Sequence, residues 1–135
     1  MSKHVLCSIK DVPVGGSKLV YAKGRPIALY NIDGEYFGLF NRCPHEGGNL
    51  SKGPRIGLVT SDEPGSYAYC RRGEIVRCPW HGWEFDIKTG KSVARPDKVR
   101  ARHFDVEVHS HEEVLELAAE TVPIEVEDQY LVVNL

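Results

Sequence analysis

The feature that most constrains this chain is a pair of short loops, Cys43-Pro44-His45 followed by Glu46-Gly47-Gly48, and Cys78-Pro79-Trp80-His81 followed by Gly82-Trp83. Each offers one thiol and one imidazole on a tight turn, so both can wrap a metal without long-range strain. Four soft or borderline donors brought to one place suit zinc or iron–sulfur chemistry. The rest of the chain then has one task, which is to hold the two loops against each other.

The surrounding residues favour strands. Few helical signals occur in the first hundred positions, where short β-branched and aromatic runs are separated by Gly, Pro, Asn and Asp, the pattern of an all-β domain. Strands are expected over 5–9, 18–22, 27–32 and 35–40. Asp33-Gly34 between the last two marks a two-residue hairpin turn, since glycine tolerates the positive φ such a turn needs. That hairpin delivers Cys43 into the first loop. Residues 50–55 read as turn-rich and 60–66 as a polar surface excursion. Residues 67–70 and 74–77 read as a second hairpin around Arg72-Gly73 that feeds Cys78. Beyond it, 84–87 pairs with 91–94, and 99–108 forms one long strand. Residues 109–121 are either a helix behind Ser110 or an irregular insertion. Strands at 122–126 and 130–133 close the chain as a last hairpin.

With the loops and strands in view, a resemblance can be stated. Cys43-Pro-His-Glu-Gly-Gly-Asn-Leu50, a long spacer, and Cys78-Pro-Trp-His-Gly-Trp-Glu-Phe-Asp86 resemble the cluster-binding loops of Rieske-type [2Fe–2S] ferredoxins and of the Rieske domains of ring-hydroxylating oxygenases. The resemblance implies a single domain over 1–135, a Rieske-like antiparallel β-sandwich with a small subdomain built from loops 43–50 and 78–86. It makes Cys43 and Cys78 ligands of the inner iron, and His45 and His81 ligands of the outer iron, of one [2Fe–2S] cluster. The spacer from His45 to Cys78 is longer than in short ferredoxin components, and 109–121 looks like an insertion.

The same resemblance separates this chain from high-potential respiratory relatives. Those carry an extra cysteine in each loop, and the two form a disulfide; Gly48 and Trp80 stand at those positions here. They also place Ser and Tyr hydroxyls where this chain has Trp83 and Phe85. Fewer donors to the sulfurs should leave the potential near the low end of the Rieske range, roughly −150 mV. Two ferric ions, two sulfides and two thiolates sum to zero charge. With neutral imidazoles, adding one electron therefore costs less than in a four-thiolate cluster.

Composition narrows the function. A length of 135 residues leaves no room for a separate catalytic domain of ordinary size. A net charge of −2 supplies no basic field for nucleic acid, and no apolar run approaches the ~20 residues of a membrane span. The segment Met1–Cys7 lacks an apolar signal region, so a cytoplasmic protein is expected. No general-base dyad, nucleophile triad or phosphate-binding glycine loop is visible. The expected role is that of a soluble one-electron carrier rather than an enzyme, passing electrons from a ferredoxin reductase to a terminal oxygenase. Two alternatives remain open: a Rieske subunit or regulatory domain of a larger redox enzyme, and a zinc-binding structural module.

Other residues carry weaker expectations. Cys7 and Cys70 read as small structural residues, and Trp80 and Trp83 as shields over the cluster. His4, His103, His109 and His111 have no ligand spacing with a cysteine and read as surface residues. Between 71 and 102 there are nine Lys or Arg against four Asp or Glu, whereas 103–135 holds nine acidic residues and neither Lys nor Arg. That asymmetry suits either solvated strand edges or steering of an acidic partner through Arg71 and Arg72.

Overall fold

A computed structural model of the chain describes residues 3–44, 47–63, 65–80, 82–115 and 129–135. Among these the elements run β1 (Lys3–Ser8), β2 (Ser17–Ala22), β3 (Arg25–Ile32), β4 (Glu35–Phe40), β5 (Arg55–Glu63), β6 (Ser66–Arg77), β7 (Glu84–Asp86), β8 (His103–Phe104), β9 (Val106–Ser110), α1 (His111–Leu115) and β10 (Gln129–Asn134). They make three antiparallel sheets with orders β1-β10-β9, β2-β3-β4-β8 and β5-β6-β7. The all-β expectation holds.

β3 is the wall of the molecule. Every residue from Ile27 to Ile32 is buried, which happens only when a strand is covered on both faces. Ile27 and Leu29 face a core shared with Leu6 of β1, Val20 of β2, Phe104 of β8 and Leu131 of β10, so two sheets pack as a sandwich. Ala28, Tyr30 and Ile32 face the other way, into a second core with Leu50, Val76, Phe85, Cys43 and Cys78. One strand therefore ties the loop-bearing end to the sandwich. Its two turns are alike: Lys23-Gly24 and Asp33-Gly34 both have positive φ at both positions, the backbone of a tight hairpin.

Three expected elements differ. The polar stretch 60–66 is not an excursion but the tip of a long hairpin, with β5 pairing to β6 from Arg55↔Val76 out to Glu63↔Ser66. Arg72-Gly73 does not reverse the chain. Arg71 and Gly73 adopt positive φ, and the register jumps from Leu58↔Cys70 to Ile56↔Ile75, so the turn residues make a bulge inside one continuous strand. The expected long strand over 99–108 is broken at Asp105, because β8 pairs with β4 while β9 pairs with β10 in a different sheet.

The helix expectation holds where the structure describes it. Ser110 and Glu113 form a reciprocal cap on α1: the Glu113 amide donates to Ser110 Oγ (3.3 Å) and the Ser110 amide to Glu113 Oε1 (3.0 Å). His109 and Ser110 end strand β9, while 116–121, and the strand expected at 122–126, lie outside the described residues. β10 closes the first sheet between β1 and β9.

Candidate metal centre

Both cysteine loops leave the ends of strands and are closed in the same way. The Cys43 amide donates to the Gly48 carbonyl at 2.8 Å, and the Cys78 amide to the Trp83 carbonyl at 2.7 Å, each spanning five residues. Gly47 and Gly82, each four residues past its cysteine, both take positive φ. The sequence thus writes Cys-Pro-x-x-Gly twice, and both copies share the closing bond and a glycine with positive φ.

The two loops meet through their cysteines. Cys43 and Cys78 are both buried and lie in the same core as Leu50, Val76 and Phe85. Burial raises the Cys78 pKa, a Trp80 backbone contact works against it, and the neighbouring Cys43 thiol raises it further. Gly48 reaches so near the second loop that a Cβ there would stand 2.7 Å from Cys78 Sγ. This donor set fits a metal centre. Burial disfavours the Cys78 thiolate on its own, and a bound cation is what stabilises a thiolate in such a place.

Of the four expected ligands, the structure brings together Cys43 and Cys78. His45 and His81 lie outside the described residues, and among the described ones no group of three His, Cys, Asp or Glu gathers to hold a metal.

Several residues position the loops without any local sequence signal. The buried Asn41 accepts from the Ser51 amide (2.6 Å), and the Tyr30 hydroxyl donates to the Leu50 carbonyl (3.4 Å), which together fix the exit of the first loop. Gly53 packs on the Arg77 carbonyl, and the Arg77 amide donates to the Pro54 carbonyl (3.0 Å), so the first loop's exit and the second loop's entry share one junction. Arg55 joins the β5–β6 hairpin to the sandwich. Its Nε donates to Gly73 O (2.9 Å), Nη1 to Gly16 O (3.0 Å) and Nη2 to Asn31 O (3.2 Å), with the guanidinium 5.6 Å from the Tyr30 ring centre. Burial lowers its pKa, against the neighbouring Tyr30 that raises it.

Other expectations need correction. Trp80 is 56% exposed, so it presents a ring at the surface instead of shielding the site; Trp83 is partly buried and stacks on Phe85 (6.5 Å between centres). Cys70 is exposed, not a core residue, while Cys7 is buried as expected. The His109 ring is mostly buried, between Glu107 (3.4 Å) and Glu113 (3.2 Å). Arg71 does not project a charge for steering: it holds both Asp86 oxygens at 2.9 Å and Glu74 at 2.9 Å.

A β-sandwich with two cysteine loops converging at one end defines a class of iron–sulfur domain. The chain belongs to the Rieske [2Fe–2S] domain family, whose pattern matches residues 2–123. Its cofactor is accordingly a [2Fe–2S] cluster, and the zinc-module reading falls away. Among curated proteins it is 31% identical over 97 residues to the 3-phenylpropionate/cinnamic acid dioxygenase ferredoxin subunit of Photorhabdus laumondii, covering 71% of this chain and 76% of that one. Among solved structures it is similar to a ferredoxin of Sphingomonas yanoikuyae B1, at 32% identity and TM-score 0.58, over 78% of this chain and 89% of the other. It also superposes on a putative small subunit of an NADPH nitrite reductase over 100% of both chains, at TM-score 0.60 and 18% identity, which is a likeness of fold. No helix among the described residues is long and apolar enough to cross a membrane.

Proposed function

We propose that this chain is a cytoplasmic, single-domain one-electron carrier that takes electrons from a ferredoxin reductase and delivers them to a terminal oxygenase, with its cluster held by Cys43, His45, Cys78 and His81. The observation that carries the reading is the pair of buried thiols that share one core on two loops closed by the same cysteine-amide bond. The family supplies the metal chemistry, and the dioxygenase ferredoxin relative supplies the partner class.

When bound, the cluster accepts and returns a single electron near the low end of the Rieske range. The chain's own residues supply the rest. Cys43 and Cys78 anchor the inner side from within the core, where Leu50, Val76 and Phe85 exclude water. His45 and His81 would hold the outer side, and a second ring nitrogen that keeps its proton would bind it more tightly in the reduced state. The midpoint potential should then fall as pH rises through the alkaline range.

Iron and acid-labile sulfide analysis, with electron paramagnetic resonance of the reduced protein, tests the reading directly. Two irons and two sulfides per chain with a Rieske-type signal are expected. His81→Cys should lower the potential or lose the cluster, and an unchanged spectrum and potential would refute its assignment as a ligand. The alternative, a subunit of a larger redox enzyme, draws on the whole-length superposition with the nitrite reductase small subunit. Stable co-purification with a large subunit would favour it.

A further inference from the structure

The segment after β7 is the most cationic stretch of the chain. From Lys88 to Arg102 it carries Lys88, Lys91, Arg95, Lys98, Arg100 and Arg102 against a single acid, Asp97. Lys88 reaches Glu74 at 3.4 Å, Arg100 donates to the Thr89 carbonyl at 3.3 Å, and Arg102 lies over the Phe104 ring at 5.0 Å. Of these only the first offsets a charge. Lys91, Arg95 and Lys98 are exposed and have no carboxylate within ion-pair distance among the described residues.

This strap is fastened beside the second cysteine loop. Ser92 bridges Phe85, the Val93 amide donates to the Glu84 carbonyl (2.9 Å), and the Asp86 amide to the Lys91 carbonyl (2.9 Å). Between strap and loop runs an open groove of about 300 Å³ lined by Gly82, Trp83, Glu84, Val93, Ala94 and Arg95. Its one carboxylate, Glu84, is matched by Arg77 at 3.2 Å, which leaves Arg95 as the uncompensated charge at an otherwise apolar groove.

We propose that the 88–100 strap and the groove beside Trp83 form the docking face for an acidic surface on a redox partner protein, with an apolar side chain of that partner entering the groove. The inference rests on the electron-carrier reading and adds the sign of the partner's surface. The overall charge of −2 argues the other way, since it would favour a basic partner. Local charge decides, because screening confines these interactions to about 8 Å at physiological salt, and the nearby carboxylates Glu74, Glu84 and Asp86 are each already held by Lys88, Arg77 or Arg71. The cations are spread along the strap instead of converging on one point, which suits an extended protein surface more than a small anion.

The test uses the cluster-loaded protein with cytochrome b5, an acidic haem protein, and cytochrome c, a basic one. Binding is measured by calorimetry, and oxidation of the reduced protein by stopped flow, both across a salt series. Association and rate with cytochrome b5 should fall with rising salt. Lys91→Glu/Arg95→Glu/Lys98→Glu should lower both about tenfold or more at low salt. A control with the same change in net charge, Lys10→Glu/Lys18→Glu/Lys23→Glu, should stay within about twofold of wild type. The inference is overturned if the two triple variants behave alike, or if cytochrome c shows the salt-weakened association and cytochrome b5 does not. A self-associating wild type whose dimer dissolves with salt would also overturn it, because the chain's own acidic end would then occupy the face. If no bleaching accompanies reduction, the carrier reading fails, while the calorimetry still reads the face.

Discussion

Replacing Gly53 by alanine isolates what joins the two loops. Gly53 has φ −80° and ψ 149°, ordinary extended backbone open to any residue, so torsion gives no reason for glycine there. Space does. A Cβ at this position would fall well inside the contact radius of the Arg77 carbonyl oxygen, 3.0 Å from the Arg77 carbonyl carbon and 3.2 Å from the Leu50 oxygen. These are backbone atoms that cannot swing aside, so the chain itself must move. Overpacking of this kind costs about 1–3 kcal/mol. Loosening the Arg77–Pro54 and Gly53–Leu50 hydrogen bonds adds about 1 kcal/mol each, for a total of about 3–5 kcal/mol. Gly34 provides the opposite case: its φ is 91°, yet nothing lies within 4 Å of a Cβ there. Gly34→Ala should cost only the left-handed penalty of roughly 1–2 kcal/mol. Urea unfolding followed by tryptophan fluorescence, with iron content measured on the same samples, compares the two. Gly53→Ala should be the more destabilised by about 2 kcal/mol and should retain less iron. If Gly34→Ala proves the costlier change, the junction between the loops is not the close contact described above.

Three further outcomes are expected. Glu74 feels burial, which would raise its pKa, but Arg71 and Lys88 outweigh it and hold the carboxyl below its ordinary 4.5. Its contribution is therefore present at neutral pH and lost as pH falls below that value. Arg71→Ala should cost about 1 kcal/mol at pH 7, and its stability curve should converge on wild type in acid. Burial, partly countered by Lys18, pushes the Cys7 thiol up to about 11. At pH 8 iodoacetamide should modify Cys70 and spare Cys7, and the stability that Cys7 supports should fade between pH 9 and 11, a fade absent in Cys7→Ala. Ser110→Ala removes one half of the reciprocal cap on α1 and should cost about 1 kcal/mol, read as a lower melting temperature.

The cysteine loops were legible because their chemistry is local: ligand type, spacing and the Asp33-Gly34 turn are all written in contiguous residues. β3 was legible for a similar reason, since the apolar run Ile27-Ala28-Leu29-Tyr30 leads directly into the Asp33-Gly34 turn. The β5–β6 hairpin was not. Its outer half is polar and its partner strand, 55–63, follows a turn-rich segment, so only long-range pairing reveals it. Arg72-Gly73 misled because the residues that reverse a chain also make a bulge, and the choice depends on which strand lies alongside. Arg55, Asn41 and Gly53 escaped detection because each acts on backbone groups distant in sequence. The steering reading of Arg71 could not be rejected from sequence, since the carboxylate of Asp86 lies fifteen positions away and meets it only in the folded sheet.

The shared closure of the two loops also settles which main-chain protons are spoken for. The amides of Cys43, Gly47 and Cys78 already donate to carbonyl oxygens within their own turns. They should exchange slowly with deuterated solvent and be missing from the set of exchangeable protons that sense the unpaired electron after reduction. Any main-chain donation to the reduced centre must then come from other amides of the same turns, so the wiring of the backbone selects which peptide groups can tune the centre.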